Sequence, residues 1–241
     1  MITPVLEGCR IAVILESKFI PEEIAAYQSG FALLGASVDL VSRLYYGNYR
    51  PGHDYWKPQV FLGDVDPNDH EPWESPARCP VPDDNDFSNI NLDQYDAVIM
   101  AANYTSVRLR YADADGAADA RAFVQAAPAV RFFAEAMAKP DLVKGALCHG
   151  LWILTPNPHL LEGRRVTCHA VVMADILNTG AHIVFEVDDT GKRAPAKVVR
   201  DGDLVTGYSK AEVLPFIQAI TEEILARKKS PRPAPSAPEP E

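Results

Sequence analysis

Cys148 has the clearest potential for covalent chemistry in this sequence. It directly follows a short predicted strand at 143–147 and precedes Gly150 and an apolar segment. A side chain at such a strand-to-helix turn is raised above the edge of the sheet, and its backbone is often strained. The positive end of a following helix would stabilise a thiolate and lower the pKa of the thiol. The pattern therefore predicts a nucleophile, against the alternative of a small, buried and inert thiol.

Two histidines are candidate bases for that thiol. His149 is its neighbour in the sequence, and His169 follows a later apolar segment. Imidazole exchanges protons near neutral pH, so either ring is a possible general base. The choice stays open, because a shift of one residue at the strand exit redirects a side chain. Cys168 is either a redox or metal-binding partner of His169 or, as the pattern favours, a buried strand cysteine.

Strand and helix patterns alternate along the chain. Short apolar runs predict strands at 10–15, 37–41, 95–100, 143–147, 165–168, 183–187, 196–199 and 204–206. Helical spacing predicts helices at 21–34, 120–138 with a possible break at Pro128, 171–177 and 211–227. This alternation indicates a parallel sheet covered on both faces, and such sheets bind ligands beyond the carboxyl ends of their strands.

The residues around Cys148 resemble a known family. G-A-L-C-H-G at 145–150 and L-L-E-G-R-R-V-T at 160–167 are similar to the A-I-C-H-G elbow and the L-L-x-G-R-x-V-T segment of the ThiJ/PfpI superfamily. D-G-D-L-V-T-G at 201–207 is similar to the hairpin before the last helix of that family. The resemblance covers most of residues 8–227 and implies a flavodoxin-like three-layer α/β sandwich with a mostly parallel central sheet.

The resemblance also implies roles for individual residues. Cys148 would be the nucleophile, with His149 or His169 as its base. Glu23 matches the acidic residue that hydrogen-bonds the thiol in the family, although a carboxylate at the start of a helix is often exposed to water. Its neighbour Glu22 is expected to face solvent.

The strand ends are expected to supply an oxyanion hole. The family often has Gly-Gly after its third strand, where this chain has Ala101, Ala102 and Asn103. Backbone amides survive a change of side chain, so the amides of Ala102 and Asn103, together with those next to Cys148 and at Gly150, would stabilise a developing oxyanion.

Three charged residues lie near the same strand ends. Arg108 and Arg110 follow the third strand, where either would bind a carboxylate substrate or form a surface ion pair. Glu16 follows the first strand, and we expect it in a solvated loop rather than as a second carboxylate of the pocket.

Composition limits the classes of partner. The 241 residues carry a formal charge of −10, which repels phosphate backbones and argues against nucleic-acid binding. No apolar run approaches the roughly 18 residues of a membrane helix, the N-terminus lacks a signal-peptide layout, and four cysteines are too few for a disulfide scaffold. We therefore expect a cytoplasmic protein with reduced thiols. The resemblance adds a small-molecule substrate, no metal or nucleotide cofactor, and a homodimer.

Proline placement divides the chain. Twelve of the 20 prolines lie in two windows, between Pro51 and Pro82 and between Pro231 and Pro240. We predict one domain at 1–227, interrupted by a Pro- and aromatic-rich insertion at about 45–86 that lines either the pocket or the dimer interface. The tail at 228–241 is predicted to be disordered.

Two classes of function remain open from the sequence. The first is a cysteine-dependent hydrolase, hydratase or glyoxalase-type lyase that acts on a small electrophilic molecule. The second is a redox- or stress-sensing or chaperone-like protein, in which Cys148 is oxidised rather than catalytic.

Overall fold

In the computed structural model, the residues described are 4–44, 59–64, 77–111, 117–187 and 189–229. Their strands are β1 (Arg10–Ile14), β2 (Ser37–Val41), β3 (Gln59–Leu62), β4 (Arg78–Val81), β5 (Ala97–Met100), β6 (Val143–Leu147), β7 (Arg165–Val166), β8 (His182–Ile183), β9 (Phe185–Val187), β10 (Arg193–Pro195), β11 (Val198–Asp201) and β12 (Leu204–Gly207). Their α-helices are α1 (Pro21–Leu33), α2 (Thr105–Arg108), α3 (Ala120–Gln125), α4 (Pro128–Met137), α5 (Ala170–Leu177) and α6 (Val213–Lys229).

A six-stranded sheet in the order β2-β1-β5-β6-β12-β11 forms the centre of the fold. Every neighbouring pair in it is parallel except β11 with β12. The predicted mostly parallel α/β fold is therefore confirmed. The chain leaves β1 toward β2 on one side and returns to β5 on the other, which is the kind of switch point where open sheets bind ligands.

Apolar residues cover both faces of this sheet. Along β5, Val98 and Met100 join the cluster that contains Phe133 of α4, whereas Ala97 and Ile99 join the cluster on the opposite face. The alternation follows from the two-residue period of a strand. The second cluster includes residues of α1 and α6, so the fold has three layers.

Proline explains two features of the helices. Pro128 starts α4 at its first position, which divides the predicted helix at 120–138 into α3 and α4. The segment after Cys148 is a short 3₁₀ helix, Gly150–Leu154, instead of the expected α-helix. Pro156 and Pro158 follow it closely, and proline lacks the amide hydrogen that continues a helix.

The last helix lies two residues further along the chain than the predicted 211–227, with the same length. It continues to Lys229, so the first two residues of the expected disordered tail are helical. The Lys228 ammonium lies 3.3 Å from a carboxylate oxygen of Asp96 and 3.0 Å from the sulfur of Cys9, which anchors this end. Residues 230–241 of the predicted tail lie outside the described residues.

Only parts of the predicted insertion are described. Strands β3 and β4 pair antiparallel, and Phe61 is fully buried in the cluster that contains α1 and α6. Residues 45–58 and 65–76, with most of the aromatic side chains of this window, lie outside the described residues. Among the helices described, none is both long and apolar enough to cross a membrane.

Candidate active site

Cys148 lies on a strained turn at the carboxyl end of β6. Its φ is 59°, in the left-handed region that residues other than glycine seldom adopt. Its amide donates to the carbonyl oxygen of Gly207 at 2.8 Å, and its own carbonyl accepts from the amide of His169 at 3.1 Å. A Cβ atom added at Gly150 would lie 2.9 Å from the Met100 carbonyl oxygen, so only glycine fits there without movement of the backbone. The elbow is thus held rigidly from both sides.

Both predicted histidines lie beside this cysteine. Nε2 of His149 is 3.3 Å from Nδ1 of His169. The Cys148 sulfur and one ring nitrogen of each histidine all lie within 4.8 Å of one another, a grouping that could also hold a metal ion. His149 is buried, whereas His169 is half-buried at the start of α5, where its Nδ1 accepts from the amide of Val171 at 3.3 Å.

The burial of the Cys148 sulfur has the largest effect on the pKa of its thiol. It raises the pKa of Cys148 to about 12, and the nearby charge of Glu23 acts in the same direction. The backbone amides of Asn103 and His149 face the sulfur and lower the pKa, but their effect is smaller. The predicted lowering of the thiol pKa was therefore wrong, because the sulfur is buried and no regular α-helix follows it. At rest the site holds a thiol.

Glu23 is buried inside the site. Its side chain is only 1% exposed, so the alternative of a solvent-facing carboxylate is wrong. Both carboxylate oxygens accept from the Ala102 amide at 3.0 Å. Desolvation raises the pKa of Glu23 to about 7 despite this bond. Its neighbour Glu22 is exposed, as predicted.

The hydrogen bond from the Ala102 amide to Glu23 removes one of the amides that we expected in the oxyanion hole. The Ala102 amide is occupied by the carboxylate and is not directed at a reacting carbonyl. The amides that face the sulfur belong to Asn103, whose φ is 65°, and to His149. The Asn103 side chain donates to the Lys18 carbonyl oxygen at 2.8 Å and to Asp64 at 2.7 Å, which fixes this turn.

His149 is neutral at physiological pH. Burial and the neighbouring His169 lower the pKa of His149 to about 4. The Val171 amide donates to Nδ1 of His169, so that nitrogen carries a lone pair, and the facing Nε2 of His149 is assigned as the donor. The two rings are therefore linked by a hydrogen bond from His149 to His169.

Aromatic rings surround the two histidines. Tyr104 and Trp152 lie 5.5 and 5.3 Å from the His149 ring, and Tyr208 lies 5.6 Å from the His169 ring. Tyr104 is 45% exposed, which places it at the mouth of the site. Sequence reasoning missed all three residues. Their position just after β5, β6 and β12 was the signal that could have revealed them.

The two arginines that follow β5 have different surroundings. Nε of Arg108 lies 3.8 Å from Oε1 of Glu16, and Glu16 is 3% exposed, so its predicted place in a solvated loop was wrong. Arg110 donates to Oγ1 of Thr155 at 2.7 Å and lies over the ring of Trp152. It also lines a cavity of about 360 Å³, together with Thr155, Pro158, Asp175, Asn178 and Thr179.

The buried carboxyl group makes stability depend on pH in a predictable direction. A folded-state pKa of about 7, against an ordinary 4.5, means that the contribution of Glu23 is fully present below pH 4.5 and is lost as the pH rises through about 7. As the pH is raised from about 5 to about 8.5, we expect the free energy of unfolding of Glu23→Gln to increase by about 2.5 kcal/mol relative to that of wild type. Urea unfolding of both proteins at the two pH values measures this difference, and the effect of His149 cancels because both proteins contain it.

Glu22→Gln is the matched control, because it removes the same charge from the adjacent exposed position. Its stability relative to wild type should be nearly independent of pH. Equal pH dependence in wild type and Glu23→Gln would contradict the burial of an ionisable carboxyl at this position.

Comparison with known proteins agrees with this architecture. Residues 116–223, which include Cys148, His149 and His169, match the family model described as the DJ-1/PfpI family. None of the curated proteins matches the chain significantly.

Solved structures share the fold at low sequence identity. A two-domain protein from Anabaena variabilis, with DJ-1/ThiJ/PfpI-like and ferritin-like domains, is 19% identical with a TM-score of 0.60 over 90% of this chain, which spans 48% of that longer protein. A ThiJ/PfpI domain protein from Brachyspira murdochii (15% identity, TM-score 0.59) is matched over 91% of this chain and 98% of its own. Drosophila melanogaster DJ-1beta (14% identity, TM-score 0.60) is matched over 91% and 92%. The resemblance to the ThiJ/PfpI superfamily is therefore confirmed, by the family model over residues 116–223 and by the shared fold over most of the chain.

Proposed function

We propose that this protein is an enzyme in which the sulfur of Cys148 attacks an electrophilic carbon of a small organic molecule. The reaction class is hydrolysis, hydration or a glyoxalase-type rearrangement. The observation that carries the proposal is the elbow itself, which holds the sulfur and one nitrogen each of His149 and His169 within 4.8 Å of one another. In enzymes that use covalent catalysis, the nucleophile usually lies close to the base that removes its proton.

The thiol must lose its proton before or during attack, because its pKa lies near 12. The linked pair of histidines receives that proton. His149 is buried and has a pKa of about 4, so the half-buried His169 at the mouth is the ring that water can solvate when it becomes charged. We therefore assign His169 as the base and His149 as the ring that connects to it.

The bond changes for a carbonyl substrate follow from this assignment. The S–H electron pair forms the S–C bond, the carbonyl π pair moves onto oxygen, and the proton goes to His169. The amides of Asn103 and His149, which already face the sulfur, are placed to stabilise the negative oxygen. Return of the proton from His169 to that oxygen gives a neutral thiohemiacetal, or the corresponding adduct of an amide or an isonitrile.

Glu23 controls the charge beside the sulfur. Its ionised form disfavours the thiolate, whereas its protonated form, which predominates below about pH 7, does not. A carboxyl group that shares its proton with the reacting centre can therefore help to form the nucleophile. The homodimer and the cytoplasmic location expected from the resemblance belong to this proposal as well.

A substrate panel tests the proposal. Wild-type protein incubated separately with methylglyoxal, small primary amides and small isonitriles should consume at least one class, and Cys79→Ser should retain that activity because Cys79 lies on β4, outside the elbow. Consumption of none of the three classes would contradict an enzyme of this kind.

The redox alternative rests on one specific observation. Two backbone amides and a protonatable carboxyl group face the sulfur, and the same groups would stabilise a sulfenate. Peroxide would convert the thiol to a sulfenic acid with release of one water. Intact mass after modest peroxide excess separates the two functions: gain of oxygen at Cys148 without any turnover supports the sensor, and an unmodified Cys148 contradicts it.

A further inference from the structure

The same elbow has the geometry of a site for a soft divalent cation. Zn²⁺ takes nitrogen ligands at about 2.0–2.1 Å in a tetrahedral arrangement, so two such nitrogens lie about 3.3 Å apart. Nε2 of His149 and Nδ1 of His169 are 3.3 Å apart before any metal is added. Two imidazole nitrogens at this separation can bind one metal ion between them, just as they can share one proton.

Cys148 provides the third ligand. A zinc–sulfur bond of about 2.3 Å places the sulfur about 3.6 Å from each nitrogen, and the Cys148 sulfur belongs with one ring nitrogen of each histidine to a group whose atoms all lie within 4.8 Å of one another. Rotation about the Cα–Cβ bond of Cys148 is the movement that would bring the sulfur to this distance. The main chains of the two residues are already joined, because the amide of His169 donates to the carbonyl oxygen of Cys148 at 3.1 Å.

The surroundings favour a cation over an anion. The carboxylates of Glu23 and Glu212 are close enough to act on the Cys148 sulfur electrostatically. Tyr104, which is 45% exposed, lies beside His149, and Tyr208 lies beside His169. Three protein ligands leave a fourth position of a tetrahedral zinc ion for water, as in zinc sites of the open kind.

We propose that Cys148, His149 and His169 form a binding site for Zn²⁺ or a similarly soft divalent cation, with one thiolate, two imidazoles and an open fourth position. Binding replaces the thiol proton with the metal and releases one proton to solvent, and the ring proton of His149 moves from Nε2 to the buried Nδ1 so that Nε2 can bind the metal. It also occupies the sulfur lone pair that would attack a substrate, so metal binding and covalent chemistry exclude each other at this site. The inference goes beyond the proposed function, since metal binding needs no substrate and no turnover.

Titration of tag-free, chelator-treated protein tests the site without any substrate. Zn²⁺ added to wild type should bind at one ion per chain, raise the unfolding temperature and protect Cys148 from alkylation by iodoacetamide. Co²⁺ should give a thiolate-to-metal charge-transfer band. Cys148→Ser and His169→Gln should each lower the Zn²⁺ affinity by at least about 10-fold, whereas Cys79→Ser and His159→Gln, outside the cluster, should not.

Absence of Zn²⁺ binding by wild type, or equal affinity in Cys148→Ser, would overturn the site. The cobalt band is measured on wild type and on wild type alkylated at Cys148, so the conclusion does not depend on a variant that folds poorly. Because no substrate is present, an absence of Zn²⁺ binding would not contradict the proposed enzymatic activity. An inactive enzyme that binds zinc would in turn contradict only the catalytic proposal.

Discussion

Replacing Cys148 with serine is expected to lower kcat/KM for the accepted substrate by at least about 1,000-fold, because removing a covalent nucleophile costs enzymes this much or more. The serine hydroxyl is a far weaker nucleophile than a thiolate, and the neighbouring His149 is a weak base with a pKa of about 4. Steady-state kinetics on the substrate found in the panel measure the loss.

The comparison of wild type with Cys148→Ser isolates the effect of the sulfur, because serine has nearly the same size and shape as cysteine. Cys148 contributes one buried sulfur to the apolar cluster that contains α1, so Cys148→Ser should unfold at nearly the same urea concentration as wild type. Cys79→Ser serves as the matched control for loss of a thiol elsewhere. A Cys148→Ser protein that retains activity within about 10-fold of wild type would mean that the sulfur is not the nucleophile.

The second large effect concerns Lys144, a lysine whose side chain is fully buried in the middle of β6. Its ammonium forms an ion pair with Asp203 and donates to the carbonyl oxygen of Lys139 at 2.7 Å. We expect Lys144→Met to lower the free energy of unfolding by about 3 kcal/mol, at the lower end of the cost of breaking a buried pair. Arg164 lies 2.8 Å from the same carboxylate and limits the loss. Urea denaturation of wild type and Lys144→Met measures the loss of unfolding free energy.

Lys139→Met is the matched control, since it breaks an ion pair with Asp93, a residue that is 71% exposed on its side chain. It should cost less than about 1 kcal/mol. The double variant Lys144→Met/Asp203→Asn should recover part of the loss, because it no longer leaves a half-buried carboxylate short of a partner. Equal costs for Lys144→Met and Lys139→Met would contradict the burial of Lys144.

The elbow was predictable because its signals are local. The apolar run of β6, Cys148 at its end and Gly150 two residues later are contiguous in the sequence, and strand periodicity needs only short windows. The order of the parallel strands then brings the ends of β5 and β6 together, so the proximity of Asn103 to Cys148 follows from topology.

The electrostatics of the site were not predictable, because they depend on contacts between distant segments. Glu23 accepts from the Ala102 amide, 79 positions away, and this contact decides which amides remain for an oxyanion. The pKa of Cys148 depends in turn on how deeply the sulfur is buried, which helix polarity does not reveal. In the sequence alone, Lys144 interrupts a buried strand. Only the structure shows that Asp203, 59 positions later, lies beside it.

The most direct test of the central claim is the site of the covalent intermediate. Wild-type protein should be quenched with acid during turnover of the accepted substrate, digested, and its peptides weighed by mass spectrometry. A mass increase equal to the bound substrate fragment is predicted on the peptide that contains Cys148, and it should be missing from Cys148→Ser. An adduct on another residue, with Cys148 unmodified, would contradict the assignment of Cys148 as the nucleophile.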